Sequence, residues 1–148
     1  MPVALSRVSD AVIDRDELVR AVDGGDAGAV CVFLGQIRDH DPEAEGEVVA
    51  IDYSGHPDAD RMIGEIARRQ CERLDPSGSA RVAVVHRVGR LEVGDLAFAV
   101  AVASGHRRLG FELIQAVVDA TKAELPIWKH QFEADGRAVW SNLDASAT

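Results

Sequence analysis

Apolar and polar positions alternate along this chain with two periods, and the change from one to the other divides it into strands and helices. Residues 3–8, VALSRV, predict a short opening strand. Asp14 stands at the N-cap position of a helix through RDELVRAVD, with Leu18, Val19 and Val22 on its apolar side. DGGDAG (23–28) ends that helix in a turn. AVCVFLGQI (29–37) is continuously apolar and β-branched, which predicts a strand covered on both faces. A polar, acidic loop (39–47) follows and reads as mobile. VVAIDYSG (48–55) predicts the next strand, and a helix over about 58–74 carries Met62, Ile63, Ile66, Ala67 and Leu74 as its apolar stripe.

DPSGS (75–79) is a turn, ARVAVVHRVG (80–89) a strand, and the segment through Arg90 to Gly94-Asp95 a further turn. LAFAVAVAS (96–104) is a strand rich in small residues that permit close packing. The helix predicted over 107–124 has Leu109, Leu113, Ala116, Val117 and Ala120 on one side, and Glu112, Gln115, Asp119 and Lys122 on the other. Pro126 ends it. IWKHQFE then reads as a strand, Asp135-Gly136 as a hairpin turn, RAVW as the returning strand and LDASAT as a frayed tail. No repeat, low-complexity tract or linker interrupts residues 1–148, so a single domain is expected. Strands and helices mix without strict βαβ alternation, which favours an α+β fold with a largely antiparallel sheet.

Composition narrows the function classes. Sixteen Lys+Arg against 25 Asp+Glu give a net charge of −9, which argues against a nucleic-acid binder. No apolar run approaches the ~20 residues needed to span a bilayer. The N-terminus lacks the basic start and long apolar core of a signal peptide, so a cytoplasmic protein is expected. Cys31 and Cys71 have neither disulfide-framework nor metal-site spacing.

Against this acidic background, His106, Arg107 and Arg108 gather at the start of a predicted helix. Backbone N–H groups there favour anions, and arginine binds phosphate or carboxylate through two parallel bonds. A solvated cationic turn is the plainer reading, although positive charge at a helix N-terminus opposes the macrodipole. By itself, Lys122 reads as a surface lysine paired with Asp119. Lys129 alternates with Trp128 and shares a strand face with Ile127 and Gln131. It is either an amine against apolar walls, where desolvation favours the neutral form, or an edge lysine that blocks aggregation. Arg38 lies at a strand end, Phe33 reads as core, and a structural role is expected for His86. His40 and His56 lack metal-ligand spacing, so no metal is expected. GxGxxG, GxxxxGK[ST] and GxSxG are all missing from the sequence. The Arg, His and Lys residues that remain suit a small polyanionic substrate and lysine-assisted group transfer.

Three stretches, FLGQIRDH, VVHRVGRLEVGDLAFAVAVASGHRRLGFE and DATKAELPIWKHQFEADG, resemble the large, catalytic subunit of molybdopterin synthase in order and spacing. The resemblance spans roughly residues 28–140, and its most specific part is SxHR followed by K-x(3)-P-x-W-K. It implies an α/β-hammerhead fold and a homodimer within a heterotetramer, with a ubiquitin-like small subunit at each end. That small subunit carries a C-terminal thiocarboxylate. Sulfur passes from it to cyclic pyranopterin monophosphate, giving molybdopterin in molybdenum cofactor biosynthesis, and no further cofactor is implied. Carried over by position, Lys122 and Lys129 are the catalytic lysines, while Arg38, His106, Arg107 and Phe33 form the substrate-binding set. Two stretches depart from the family pattern: IDYSGHPDAD replaces a more acidic segment, and Ser141-Asn142 follows Trp140 where some members carry a basic residue. The competing reading is a module of the same fold that binds a pterin, a phosphate or the ubiquitin-like partner without catalysis.

Overall fold

The computed structural model describes residues 2–40 and 46–142. The expectations for the tip of the acidic loop and for the LDASAT tail lie outside them. The chain forms two four-stranded sheets. The first contains β1 (Val3–Ser9), β4 (Arg81–Arg87), β6 (Leu96–Ser104) and β2 (Ala29–Gln36), in that spatial order. The second runs β5 (Gly89–Glu92), β3 (Val48–Gly55), β7 (Ile127–Glu133) and β8 (Ala138–Asn142). Among the described residues only β1 and β4 pair in parallel, and every other pair is antiparallel. The chain is α+β, as its unalternating order of elements implies, but with two sheets where a single one was expected.

The three helices are α1 (Arg15–Val22), α2 (Ala59–Leu74) and α3 (Arg107–Glu124). Asp14 caps α1 as expected, its side chain accepting from the Asp16 N–H at 3.0 Å. Alternation along the central strands assigns a helix layer to each face of the first sheet. Ala83, Val85, Ala99, Ala101 and Ala103 point one way and pack with Leu18 and Val22 of α1. Their small side chains let this two-turn helix lie close to the sheet. Val82, Val84, Phe98, Val100 and Val102 point the other way, into the main core under α2 and α3. Ile51, Tyr53, Leu91 and Ile127 bring the second sheet into that same core.

Two sequence expectations fail here for identifiable reasons. The predicted turn after β4 contains strand β5. Gly89, at φ +93°, takes a left-handed conformation that lets the chain leave one sheet and enter the other within two residues. β2 is the second case. It is an edge strand, with Val30 and Val32 47% and 44% exposed, where both faces were expected to be covered. A continuous apolar run gives composition without strand order, so it cannot distinguish a central strand from an edge strand.

Candidate active site

The C-terminal end of α3 meets the second sheet at the place where β2 ends. Lys122 is the basic residue of the last helical turn, where positive charge complements the helix dipole. Leu125 closes the helix, its N–H donating to the Thr121 carbonyl at 2.9 Å, and Pro126 prevents another turn. The chain enters β7 immediately, so Lys129 lies seven residues after Lys122 but on another element. Strand alternation turns Lys129 inward with Ile127 and Gln131, while Trp128 points out. Lys129 is 3% exposed and pairs in register with Tyr53 of β3. β7 lies between β3 and β8, so Lys129 is not an edge lysine. Arg38 follows the end of β2, where Ile37 is pinned by backbone bonds: its N–H donates to Asp95 and its carbonyl accepts from Gly94, at 3.0 and 2.8 Å.

Lys122 therefore differs from the surface ion pair suggested by its helix. It is half-buried, and burial, followed by the positive charges of Lys129 and Arg38, pulls its pKa below the ordinary lysine value. Asp119 opposes the shift but is the smallest contributor. An amine easier to deprotonate is a better nucleophile or base near neutrality.

An aromatic row runs beside the lysine. Phe33 meets Phe98 edge-on with ring centroids 5.8 Å apart, Phe98 stacks on His86 at 5.5 Å, and His86 meets the Tyr53 ring edge-on at 5.0 Å. Lys122, Tyr53, His86, Phe98, Gly35 and Gln36 line a small cavity of about 70 Å³. The row links β2, β6, β4 and β3, and so depends on the sheet order. Phe33 packs against the core edge and reaches the cavity only through its contact with Phe98. His86 is buried and neutral: burial, opposed by its bond to the Arg87 carbonyl and assisted by Lys122, lowers its pKa to about 4. Gln131 is fully buried beside Lys129 with neither amide atom hydrogen-bonded. Sequence reading missed His86, Phe98 and Tyr53 as a group. The period-2 pattern of β7 does mark Gln131 as sharing the Lys129 face.

His106 and Arg107 lie elsewhere. Gly28 fits under the Gly105 carbonyl, which a Cβ there would meet at 2.4 Å, and its N–H donates to the Ser104 carbonyl at 3.0 Å. This contact fixes the start of β2 against the start of α3. His106 occupies the N-cap position without a side-chain cap bond, and Arg107 and Arg108 are exposed. They line an open groove of about 700 Å³ with Gly28, Gly105 and Phe111. Lys122 lies fifteen positions along the helix from Arg107, a rise of roughly 22 Å at about 1.5 Å per residue. The same separation appears in the sheet, where Ala29 pairs with Ser104 and Gly35 with Phe98. One chain thus gathers Lys122, Lys129, Arg38 and Phe33 at one end, and holds His106 and Arg107 at the other.

Neither cysteine is a ready nucleophile. Burial raises the pKa of Cys31, and burial together with Asp75 and Glu72 pushes Cys71 up to about 11. Among the described residues no cluster of His, Cys, Asp and Glu could hold a metal, and no helix is long and apolar enough to cross a membrane.

The family model described as MoaE protein matches residues 8–124. The chain belongs to the MoaE family. A relative from Mycobacterium tuberculosis, molybdopterin synthase catalytic subunit 1, is 35% identical over 90% of this chain and 88% of its own. The MoaE fold is shared with a molybdopterin synthase crystal structure from Staphylococcus aureus, at TM-score 0.82 and 24% identity over 93% of this chain and 96% of that one. It is also shared with a chain of the complex of subunits 1 and 2 of molybdopterin-converting factor from Helicobacter pylori, at TM-score 0.68 and 16% identity over 95% and 90%.

Proposed function

We propose that this MoaE-family chain is the catalytic subunit of a cytoplasmic molybdopterin synthase, moving sulfur from a partner's C-terminal thiocarboxylate to cyclic pyranopterin monophosphate. The observation that carries the residue assignment is the convergence of Lys122 and Lys129, from different elements, beside Arg38 and an aromatic wall. Desolvation and mutual repulsion favour the amine at Lys122, which suits a group that exchanges protons or bonds with an acyl carbon. Lys122 meets the partner's tail and Lys129 the pterin. The thiocarboxylate sulfur bonds to a side-chain carbon of the precursor as that carbon's bond to oxygen breaks and the departing oxygen takes up a proton. Water then attacks the acyl carbon and breaks its bond to sulfur, leaving the sulfur on the precursor and releasing the partner as a carboxylate. Two such transfers give the dithiolene. The sulfur comes with the partner, in keeping with the raised pKa of both cysteines, and no resident cofactor takes part.

The anion-binding set is completed by a second copy of the chain. A cavity of about 70 Å³ lies well below the ~300 Å³ at which small-molecule pockets begin. β2 offers an open edge with Val30 and Val32 exposed beside it. A two-fold axis near that edge runs the two β2 strands in opposite directions. It thereby brings His106 and Arg107 of one copy to the Arg38 end of the other. The sulfur donor is a ubiquitin-like small subunit, one for each catalytic chain; the two-subunit complex of the Helicobacter relative supports this assembly.

The test is reconstitution. The purified chain, a thiocarboxylated small subunit and cyclic pyranopterin monophosphate should yield dithiolene product. No product from a folded chain that binds both partner and precursor would show a binding module instead.

A further inference from the structure

His86 has no part in the chemistry assigned above, yet it occupies the floor of the Lys122 cavity. Its Nδ1 lies 2.8 Å from the Arg87 carbonyl oxygen. A carbonyl only accepts, so Nδ1 carries the proton and donates it, leaving Nε2 as the acceptor of a neutral ring. Phe98 stacked on one side and Tyr53 edge-on at another hold the ring in place. The ring is 1% exposed, so this remaining acceptor is available only to the cavity, which Lys122 closes from α3. About 70 Å³ is room for water, which needs ~10–15 Å³ of such space and two or more polar partners.

We propose that His86 is a positioning residue for Lys122: its Nε2 accepts a hydrogen bond from water in this cavity, and that water accepts from the Lys122 Nζ. The bridge aims a flexible four-carbon side chain at the point where the partner's acyl carbon arrives. A neutral acceptor suits this position better than a carboxylate or a cation. A carboxylate would hold Lys122 as an ammonium, and a cation would add to the repulsion from Lys129 of β7 and Arg38 beyond β2. Asp119, on the same helix, is the acidic group acting on Lys122. Burial keeps His86 neutral down to about pH 4, so the acceptor persists throughout the working range.

The role in catalysis rests on the sulfur-transfer reading, whereas the bridge itself is measurable without turnover. In the assembled protein, lysines are reductively methylated with ¹³C-formaldehyde and Lys122 is titrated by NMR, in wild type, His86→Phe and His86→Gln. Phe keeps a packed ring but removes the acceptor; Gln places an amide oxygen near Nε2. Loss of the acceptor withdraws support from the ammonium, so Lys122 should titrate at lower pH in His86→Phe, with roughly a tenfold change in its ammonium-to-amine ratio. His86→Gln should restore most of the wild-type value. Reciprocally, Lys122→Met should raise the pH at which His86 titrates, a measurement that needs no change at position 86.

In sulfur transfer, kcat should fall about tenfold in His86→Phe, with KM for the precursor nearly unchanged and partial recovery in His86→Gln. Identical Lys122 titrations in the three folded proteins would overturn the proposal, as would an unmoved His86 in Lys122→Met. The expected titrations in a protein that transfers no sulfur would uphold the bridge and reject the functional reading.

Discussion

Helix α3 carries a cationic group at each end, and the two ends are built on opposite principles. At the N-terminal end, His106, Arg107 and Arg108 stand exposed around an open groove. The two guanidinium groups, together with uncapped backbone N–H groups, face an anion from solvent. At the C-terminal end Lys122 is half-buried, Lys129 is buried, and an aromatic row walls the cavity. Burial there works against charge. The exposed end is suited to binding, and the buried end to a reaction in which an amine must give up or accept a proton. Both belong to one site only if two chains meet.

The sharpest way to break this division of labour is Lys122→Ala. It should lower sulfur transfer by roughly a hundredfold to ten-thousandfold, the range for a positioned proton-transfer group. Folding by circular dichroism and binding of the precursor should survive; lost binding with a normal turnover rate would contradict it. Arg107→Ala should act on the other quantity. Removing a charge-assisted bond to an anion should raise KM for the precursor about tenfold to a hundredfold, with a smaller effect on kcat. Steady-state kinetics at varied precursor separates the two.

The comparison is sharpened further by electrostatics within the buried end. Lys129→Met removes the larger of the two like charges that depress Lys122. Lys122 should then titrate at higher pH, nearer an ordinary lysine, and an unchanged titration would show that the two ammonium groups do not feel one another. A smaller effect concerns stability. The folded pKa of His86 is about 4, below its ordinary 6.5. As pH falls from 6.5 to 4 the unfolded chain gains a proton there that the folded chain refuses, so stability falls across this window, by up to about 3 kcal/mol. Urea titrations should show a shallower acid loss for His86→Phe than for wild type over that range.

Much of this arrangement is legible in the chain, for reasons that differ by residue. The helices and long strands follow from periodicity, and Asp14 and Pro126 bound their helices by known backbone chemistry. β5 is hidden because the four residues Gly89–Glu92 resemble a turn until a second sheet is there to pair with them. The inward face of Lys129 follows from strand alternation. The catalytic roles proposed for the lysines come only through the family resemblance, because a helix surface pattern cannot show that α3 ends against another sheet. The row of Phe98, His86 and Tyr53 depends on strand order, which no local pattern carries. The distance between Arg107 and Lys122 follows from the length of α3 once both are placed on it. The proposal that a second chain spans this distance rests on β2 lying open at the sheet edge.

The central claim is that the two ends of α3 cooperate across a pair of chains, and complementation tests it directly. Lys122→Ala and Arg107→Ala chains, each impaired as a pure dimer, are mixed, dissociated and reassembled with the small subunit. A mixed dimer contains one site with both residues intact and one with neither. Random reassembly makes half of the dimers mixed, so with precursor held well below the wild-type KM, where Arg107→Ala is impaired, activity should recover to about a quarter of wild type. Recovery at that level would establish a site shared between copies. No recovery, in dimers shown by mass spectrometry to be mixed, would contradict the account and return both residues to separate tasks within one chain.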